Sequence, residues 1–372
     1  MAPVLRLLQC HRQVKSRVCI ISQQANLLPQ ALAHSEVEVD FVIDLADDDH
    51  PLLGSVGSAI APLDNLLTKC KPDLVLVQGD TASALAGALA ASNQRVPIGH
   101  VEAGLRTGDL SAPFPEEINR QLISRVAKYH FASTEIARNN LLAEGVEKED
   151  IWITGSTVVD ELARALNRIE NEPTATWLES IPDDLILRIH DQCRKLVLVT
   201  AHRRENLDAG IGSVCRSIAQ LAIKNDDWDF VFPVHPNPAV KAPVHSLLRG
   251  HSNIFLTLPM SYTEFVFVMS QSSLIITDSG GVQEEAPYLN VPLLVTRNCT
   301  ERVEGVHAGV AEVVGSEPHR LTQAAERAIR TKAQSRSSWS APGIYGEGKA
   351  AFHIRDVITW VLRDKVKRAM AI

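Results

Sequence analysis

Residues 99–120 crowd four carboxylates (Glu102, Asp109, Glu116, Glu117), one histidine (His100) and two arginines (Arg106, Arg120) into a single connection. The segment opens Gly99-His100-Val101-Glu102-Ala103-Gly104-Leu105-Arg106 and closes Pro113-Phe114-Pro115-Glu116-Glu117-Ile118-Asn119-Arg120. It follows Val96-Pro97-Ile98, which reads as the end of a buried strand, so the carboxylates sit where open α/β sheets hold their ligands. The two prolines predict an extended approach to a helix that begins at Glu116. Glu117 taken singly reads as a solvated acid at the positive end of that helix. Glu102 and Glu116 read as acid/base groups, together with Asp80 in Gly79-Asp80-Thr81 after an earlier strand. Like charges brought together raise one another's pKa toward values useful for proton transfer. For Asp80 alone, capping the next helix is the commoner job.

Three further clusters follow apolar runs. Asp278-Ser279-Gly280-Gly281 precedes Val282-Gln283-Glu284-Glu285: glycines at a helix start let backbone N–H groups approach a phosphate, and a carboxylate one turn on suits ribose hydroxyls. Thr200-Ala201-His202-Arg203-Arg204-Glu205-Asn206 supplies a histidine and two arginines able to neutralise a diphosphate. Thr300-Glu301-Arg302 offers another arginine. His235, at the next strand end, reads equally as a ligand or as a satisfied structural histidine.

The elements that must carry these groups alternate strand and helix. A helix over 1–9 is expected, then strands over 17–21 and 37–43, a helix over 55–70, a strand over 73–77, an alanine-rich helix over 82–92, and strands over 96–101, 129–132 and 151–153. Segment 167–184, with its prolines and weak periodicity, reads as the interdomain connection, which lies there or slightly before it. A second alternation has strands at 195–200, 230–234, 254–258, 274–277, 292–295 and 311–314, with helices at 210–224, 262–270 and 352–367. The fold class is α/β: two Rossmann-like parallel-sheet domains, 1–166 and 167–350, facing a cleft, with 351–372 a helix packing back on the first. A parallel domain normally leads with a strand, so the opening helix suggests a missing first strand.

The chain has 372 residues, a length that suits two domains at roughly 100 to 200 residues each. A net charge of −7 offers no basic face to nucleic acid. No apolar run approaches the roughly 20 residues that cross a bilayer, and the start is too broken for a signal sequence. A cytoplasmic protein with neither membrane nor nucleic-acid partner is expected. The six cysteines lack Cys-x-x-Cys spacing, so neither a zinc site nor a disulfide framework is suggested.

Gln78-Gly79-Asp80-Thr81, the 99–108 and 115–120 segments, 200–206, 278–287, Thr300-Glu301-Arg302 and Tyr345-Gly346-Glu347-Gly348-Lys349-Ala350 resemble the non-hydrolysing UDP-N-acetylglucosamine 2-epimerases. The resemblance spans nearly the whole chain. It implies a GT-B fold, interconversion of UDP-GlcNAc and UDP-ManNAc, a homodimer, and chemistry with no redox cofactor or metal. It implies that Asp80, Glu102 and Glu116 are the acid/base carboxylates and that His202, beside Arg203, assists at the diphosphate. Ser279, Gly280 and Gly281 would hold phosphate, Glu285 the ribose, and Arg120 and Arg302 would supply charge near the leaving group and cleft. Uracil would lie against Phe265 with Met260 nearby. UDP leaves as C2 is deprotonated, and the resulting 2-acetamidoglucal is reprotonated from its other face.

Two departures stand out. The family's Gly-Thr-Arg-Pro-Glu-Ala-x-Lys loop normally lies directly before Met-Ala-Pro, which here is Met1-Ala2-Pro3. Ser22-Gln23-Gln24-Ala25-Asn26 stands where the family shows Gly-Gln-His-Arg-Glu, a segment tied to allosteric binding of UDP-GlcNAc. The alternatives are a GT-B glycosyltransferase, which would need an acceptor cleft in place of the three carboxylates, and a nucleotide-sugar-binding protein without turnover.

Overall fold

The computed structural model describes residues 1–22, 36–44, 53–178, 180–191, 193–201, 209–334 and 339–370. The chain forms two compact units, Met1–Glu161 with Gly346–Ile372, and Leu162–Tyr345.

In the first unit, β1 (Cys19–Ser22) and β2 (Phe41–Asp44) form a parallel pair. β3 (Val75–Gln78), β4 (Ile98–Ala103), β5 (Tyr129–Ala132) and β6 (Ile151–Ile153) form a separate parallel sheet in that order. The two sheets share one helical layer. Ile21 and Ile43 pack on Ala59, Leu63, Ala86 and Ala90, while Val77 packs on Ala84, Leu85 and Ala88. The helix Ala82–Asn93 serves both because alanine covers it on several sides and permits close approach. On another face, Val4 and Leu8 of the Ala2–Gln9 helix pack with Val101, Phe131, Ile354 and Ile358. The Ala350–Met370 helix belongs to this unit, and Asp160 caps it by accepting from the backbone N–H groups of Ala350 and Ala351 at 3.0 and 2.8 Å.

The second unit is built on one parallel sheet ordered β12-β11-β10-β7-β8-β9. Its strands are β7 (Lys195–Thr200), β8 (Trp228–Pro233), β9 (Ile254–Thr257), β10 (Leu274–Thr277), β11 (Leu293–Val295) and β12 (Ala311–Val313). The chain winds outward one way from β7 and the other way from β10, so the switch point of this doubly wound sheet lies between those two strands.

The two units divide at Glu161/Leu162, just before segment 167–184, and that segment is more ordered than its composition suggests. The helix Thr157–Asn171 runs into it, a short turn of helix spans Thr174–Thr176, and Trp177, Ile181 and Leu185 are buried. Its prolines stand outside the helices: Pro173 precedes the short turn, and Pro182 is the N-cap of Asp183–His190. Among the described residues no helix is long and apolar enough to cross a membrane.

Candidate active site

β3 delivers Gly79, at φ +70°, and then Asp80. The helix that follows is capped by Thr81, whose Oγ1 accepts from the Ala84 N–H at 3.2 Å, so Asp80 is not that helix's cap. Its side chain stays 22% exposed.

β4 pairs with β5 residue for residue through Val101↔Phe131 and then skips, with Ala103 opposite Ala132. Glu102 is the extra residue, in a left-handed conformation at φ 65°. A bulge takes its residue out of the ladder and re-aims the side chain, and a non-glycine held at such a φ costs on the order of 1–3 kcal/mol that the surroundings must offset. The result is proximity to the neighbouring acid's turn: a methyl on Gly79 would stand 4.0 Å from Glu102 Oε2, and the Gln78 amide lies 3.5 Å from that oxygen.

Glu116 opens the helix Glu116–Val126 and is half-buried in its first turn. One turn further on, Asn119 donates to the Asp80 carbonyl at 2.8 Å and Arg120 to Asp80 Oδ2 at 2.5 Å. Asp80, Glu102 and the helix start that bears Glu116 are thus gathered at the carboxyl ends of β3 and β4. His100, wholly buried on β4, contributes through its Nε2, which donates to the Gly79 carbonyl at 2.8 Å. Burial depresses its pKa to about 3, so the ring is neutral.

The reading of Glu117 as a solvated acid is wrong. It is fully buried and accepts from the Thr107 and Gly108 N–H groups at 3.1 and 3.3 Å, from Gln121 at 3.0 Å and from Arg120 at 3.1 Å. By gathering these donors it folds 107–115 back on the helix, and the approach is a run of turns with Pro115 as N-cap at φ −95°, ψ 10°, not an extended segment. Arg120 is 3% exposed, with its two terminal nitrogens directed at Asp80 and Glu117.

In the second unit, the ends of β7 and β10 meet at the switch point, where the Thr200 and Thr277 hydroxyls lie 2.5 Å apart. Thr277 Oγ1 accepts from the Ser279 N–H at 3.0 Å and so shapes the turn into the helix Gly280–Tyr288. Ser279 is the N-cap residue, its own side chain makes no cap bond, and the first turn holds no acid. Its leading N–H groups and the positive end of its dipole suit an anion. Arg302 lies over Gly280, its guanidinium bonded to Glu284 at 2.9 Å and to Glu301. Gly281 has open space beside it.

Glu285, 4% exposed, has its carboxyl pushed up to about 7, chiefly by desolvation and further by Glu284, while a hydrogen bond from Tyr262 opposes the rise. Tyr262 begins the Tyr262–Gln271 helix. The helix expected over 262–270 starts there, behind the capping box Ser261-x-x-Glu264, but nothing in the sequence ties Tyr262 to a residue 23 positions away. Met260, Tyr262 and Phe265 are half-buried against one apolar cluster that includes Val266, Val282 and Ala286. His235 is exposed, and its Nδ1 accepts from the Asn237 N–H at 3.2 Å. His202, Arg203 and Arg204 lie outside the described residues, as do Gln23, Gln24, Ala25 and Asn26. Among the described residues no group of His, Cys, Asp and Glu is arranged to hold a metal ion.

Two units with parallel sheets, and structural neighbours that are UDP-GlcNAc 2-epimerases, put the chain among the GT-B-like α/β proteins. A family model described as UDP-N-acetylglucosamine 2-epimerase matches residues 6–359. The UDP-N-acetylglucosamine 2-epimerase of Campylobacter jejuni is 40% identical over 360 residues, covering 96% of this chain and 93% of that protein. The Neisseria meningitidis UDP-GlcNAc 2-epimerase crystal structure bound to UDP-GlcNAc superimposes with a TM-score of 0.88 at 38% identity, covering 96% and 95% of the two chains. The Methanocaldococcus jannaschii enzyme in complex with UDP-GlcNAc and UDP gives 0.81 at 31% identity, again covering 96% and 95%. The chain belongs to the UDP-N-acetylglucosamine 2-epimerase family, and is an isomerase.

Proposed function

We propose that the chain interconverts UDP-N-acetylglucosamine and UDP-N-acetylmannosamine by eliminating and re-adding UDP. The observation that carries this reading is Glu102, bulged out of β4 beside the turn that presents Asp80. A glycosyltransferase has no evident use for carboxylates so arranged, whereas epimerisation at carbon needs a proton removed from one face and returned to the other. In the forward step a carboxylate takes the C2 proton, the C1–O bond breaks with its electron pair leaving on UDP, and C1=C2 forms in 2-acetamidoglucal. Return of a proton to the opposite face, with UDP oxygen re-forming the C1–O bond, completes the inversion. No electrons change hands, so the balance calls for no redox cofactor.

Asp80, Glu102 and Glu116 are assigned the proton transfers. Ser279, Gly280, Gly281 and Arg302 are assigned the diphosphate, with His202 and Arg203; the glycine-led start of the Gly280–Tyr288 helix, with open space beside Gly281, supports this. Glu285 is assigned the ribose and Phe265 and Met260 the uracil, with His235 just past the carboxyl end of β8 in the same unit. A homodimer in the cytoplasm is the proposed setting, on the strength of the motif resemblance and the acidic net charge.

Incubation with UDP-GlcNAc in deuterated water tests the reaction. Deuterium should enter C2 of product and recovered substrate, and Asp80→Asn, Glu102→Gln and Glu116→Gln should each lose most of the exchange, by about 100-fold or more, with UDP affinity little changed. UDP binding without deuterium incorporation would overturn the reading.

A further inference from the structure

We propose that Arg120 is a positioning residue that holds Asp80 in place for proton transfer and makes no contact with the nucleotide sugar. The inference rests on the role given to Asp80 above.

Asp80 is held at three points by different side chains. His100 fixes the carbonyl just before it, Asn119 its own carbonyl, and Arg120 one carboxylate oxygen. Asn119 and Arg120 are consecutive on one helix, and both reach back about 40 residues to the same turn. Arg120 is itself held, because its other terminal nitrogen meets Glu117, which is fully buried and bonded to two backbone N–H groups and to Gln121. The order of support therefore runs from the 107–108 backbone through Glu117 and Arg120 to Asp80.

Burial and geometry argue against a direct role at the diphosphate. At 3% exposure the guanidinium offers almost no surface to a phosphate oxygen, and its two terminal nitrogens already bond Asp80 and Glu117. Its Nε is buried without a bond, so the position is not one that maximises the arginine's own hydrogen bonding. The arrangement does fix Oδ2 of Asp80 while the side chain keeps 22% exposure for a reacting partner. A planar fork suits this: a lysine could carry the charge but not bridge both carboxylates with the same geometry.

The test compares Arg120→Lys, Glu117→Gln and Asp80→Asn with the parent by kcat and KM for UDP-GlcNAc, calorimetric UDP affinity and melting temperature. Misplacing a reacting group by about 1 Å costs on the order of 100-fold, so Arg120→Lys should lose about that in kcat while KM and UDP affinity stay within about threefold. Glu117→Gln should show the same pattern with a smaller loss, and it carries the test if Arg120→Lys does not fold. Guanidinium at a sub-denaturing concentration should restore part of the turnover of Arg120→Ala. A tenfold or larger rise in KM and in the UDP dissociation constant with kcat retained would make Arg120 a substrate contact and overturn the inference, as would unchanged kinetics in both variants. An inactive Asp80→Asn beside a normal Arg120→Lys defeats this inference alone. A fully active Asp80→Asn defeats the catalytic reading of Asp80 on which it rests.

Discussion

The guanidinium of Arg302 lies so close over Gly280 that a methyl group on that glycine would stand 2.8 Å from Nη1 and 2.9 Å from Cζ. An arginine end can ordinarily swing away, but this one is 8% exposed and bonded to Glu284 and Glu301, so moving it breaks buried ion pairs. Gly280→Ala should therefore lower the melting temperature and weaken UDP binding by about 10- to 100-fold, the worth of one displaced charge-assisted contact. Gly281→Ala separates the two effects. Open space surrounds that position, so the fold should keep its melting temperature while UDP binding, if phosphate occupies the space, still weakens. Calorimetry and thermal melts of both variants check this, and unchanged UDP affinity in both would remove phosphate from the start of this helix.

With Glu285 assigned the ribose, substrate binding should be pH-dependent near neutrality. Its carboxyl, raised to about 7 by burial, must be ionised to accept well from two ribose hydroxyls. Affinity for UDP-GlcNAc, whose diphosphate does not titrate in this range, should fall as pH drops through about 7, approaching tenfold per unit well below it. Glu285→Gln should flatten the profile. The bond from Tyr262 favours the carboxylate, so Tyr262→Phe should move the midpoint to higher pH. A parent profile that is already flat, measured by calorimetry, would take Glu285 out of the binding site.

Local patterns were legible in the sequence, and long-range partners were not. Strands such as Tyr129–Ala132, Lys195–Thr200 and Leu274–Thr277 stand out as short apolar runs because interior parallel strands are buried on both faces. The helix Pro238–Leu248 went unread because Pro238 and Pro243 look like breakers, yet Pro238 occupies a tolerated first-turn position behind the Asn237 cap. The glycines before Glu285 gave away the turn from β10 into a helix. Nothing local distinguishes Glu117 from a solvated helix acid, since its burial depends on donors drawn from 107–108, nor does spacing reveal that Asn119 and Arg120 both bond Asp80. The Glu102 bulge was equally hidden, being a mismatch between β4 and β5 that neither strand shows alone.

Two buried histidines should make the fold acid-sensitive. His100 and His130 stand opposite each other on β4 and β5, and burial depresses them to about 3 and about 4 from an ordinary 6.5. Each ring donates once, to the Gly79 and Ala127 carbonyls, and each Nδ1 is buried without a partner, so a second proton would meet neither solvent nor acceptor. Because both folded pKa values lie below the unfolded one, the unfolded chain takes up protons first: the stability these rings contribute is complete above about pH 6.5 and is lost progressively as pH falls toward 4 and 3. The loss is on the order of a few kcal/mol, a large share of the roughly 5–15 kcal/mol that holds a domain together. Glu285, whose folded pKa is raised, works in the opposite direction below about 7, so the parent curve alone mixes the two. Subtracting the curve of His130→Gln removes that common part. His130 is the better choice because it makes no bond to the Asp80 turn, whereas changing His100 would release Gly79. Urea midpoints taken between about pH 7 and 5 should converge for parent and variant as pH falls, since only the parent has this histidine to protonate on unfolding. A constant gap across that range would show that His130 already titrates normally in the folded state.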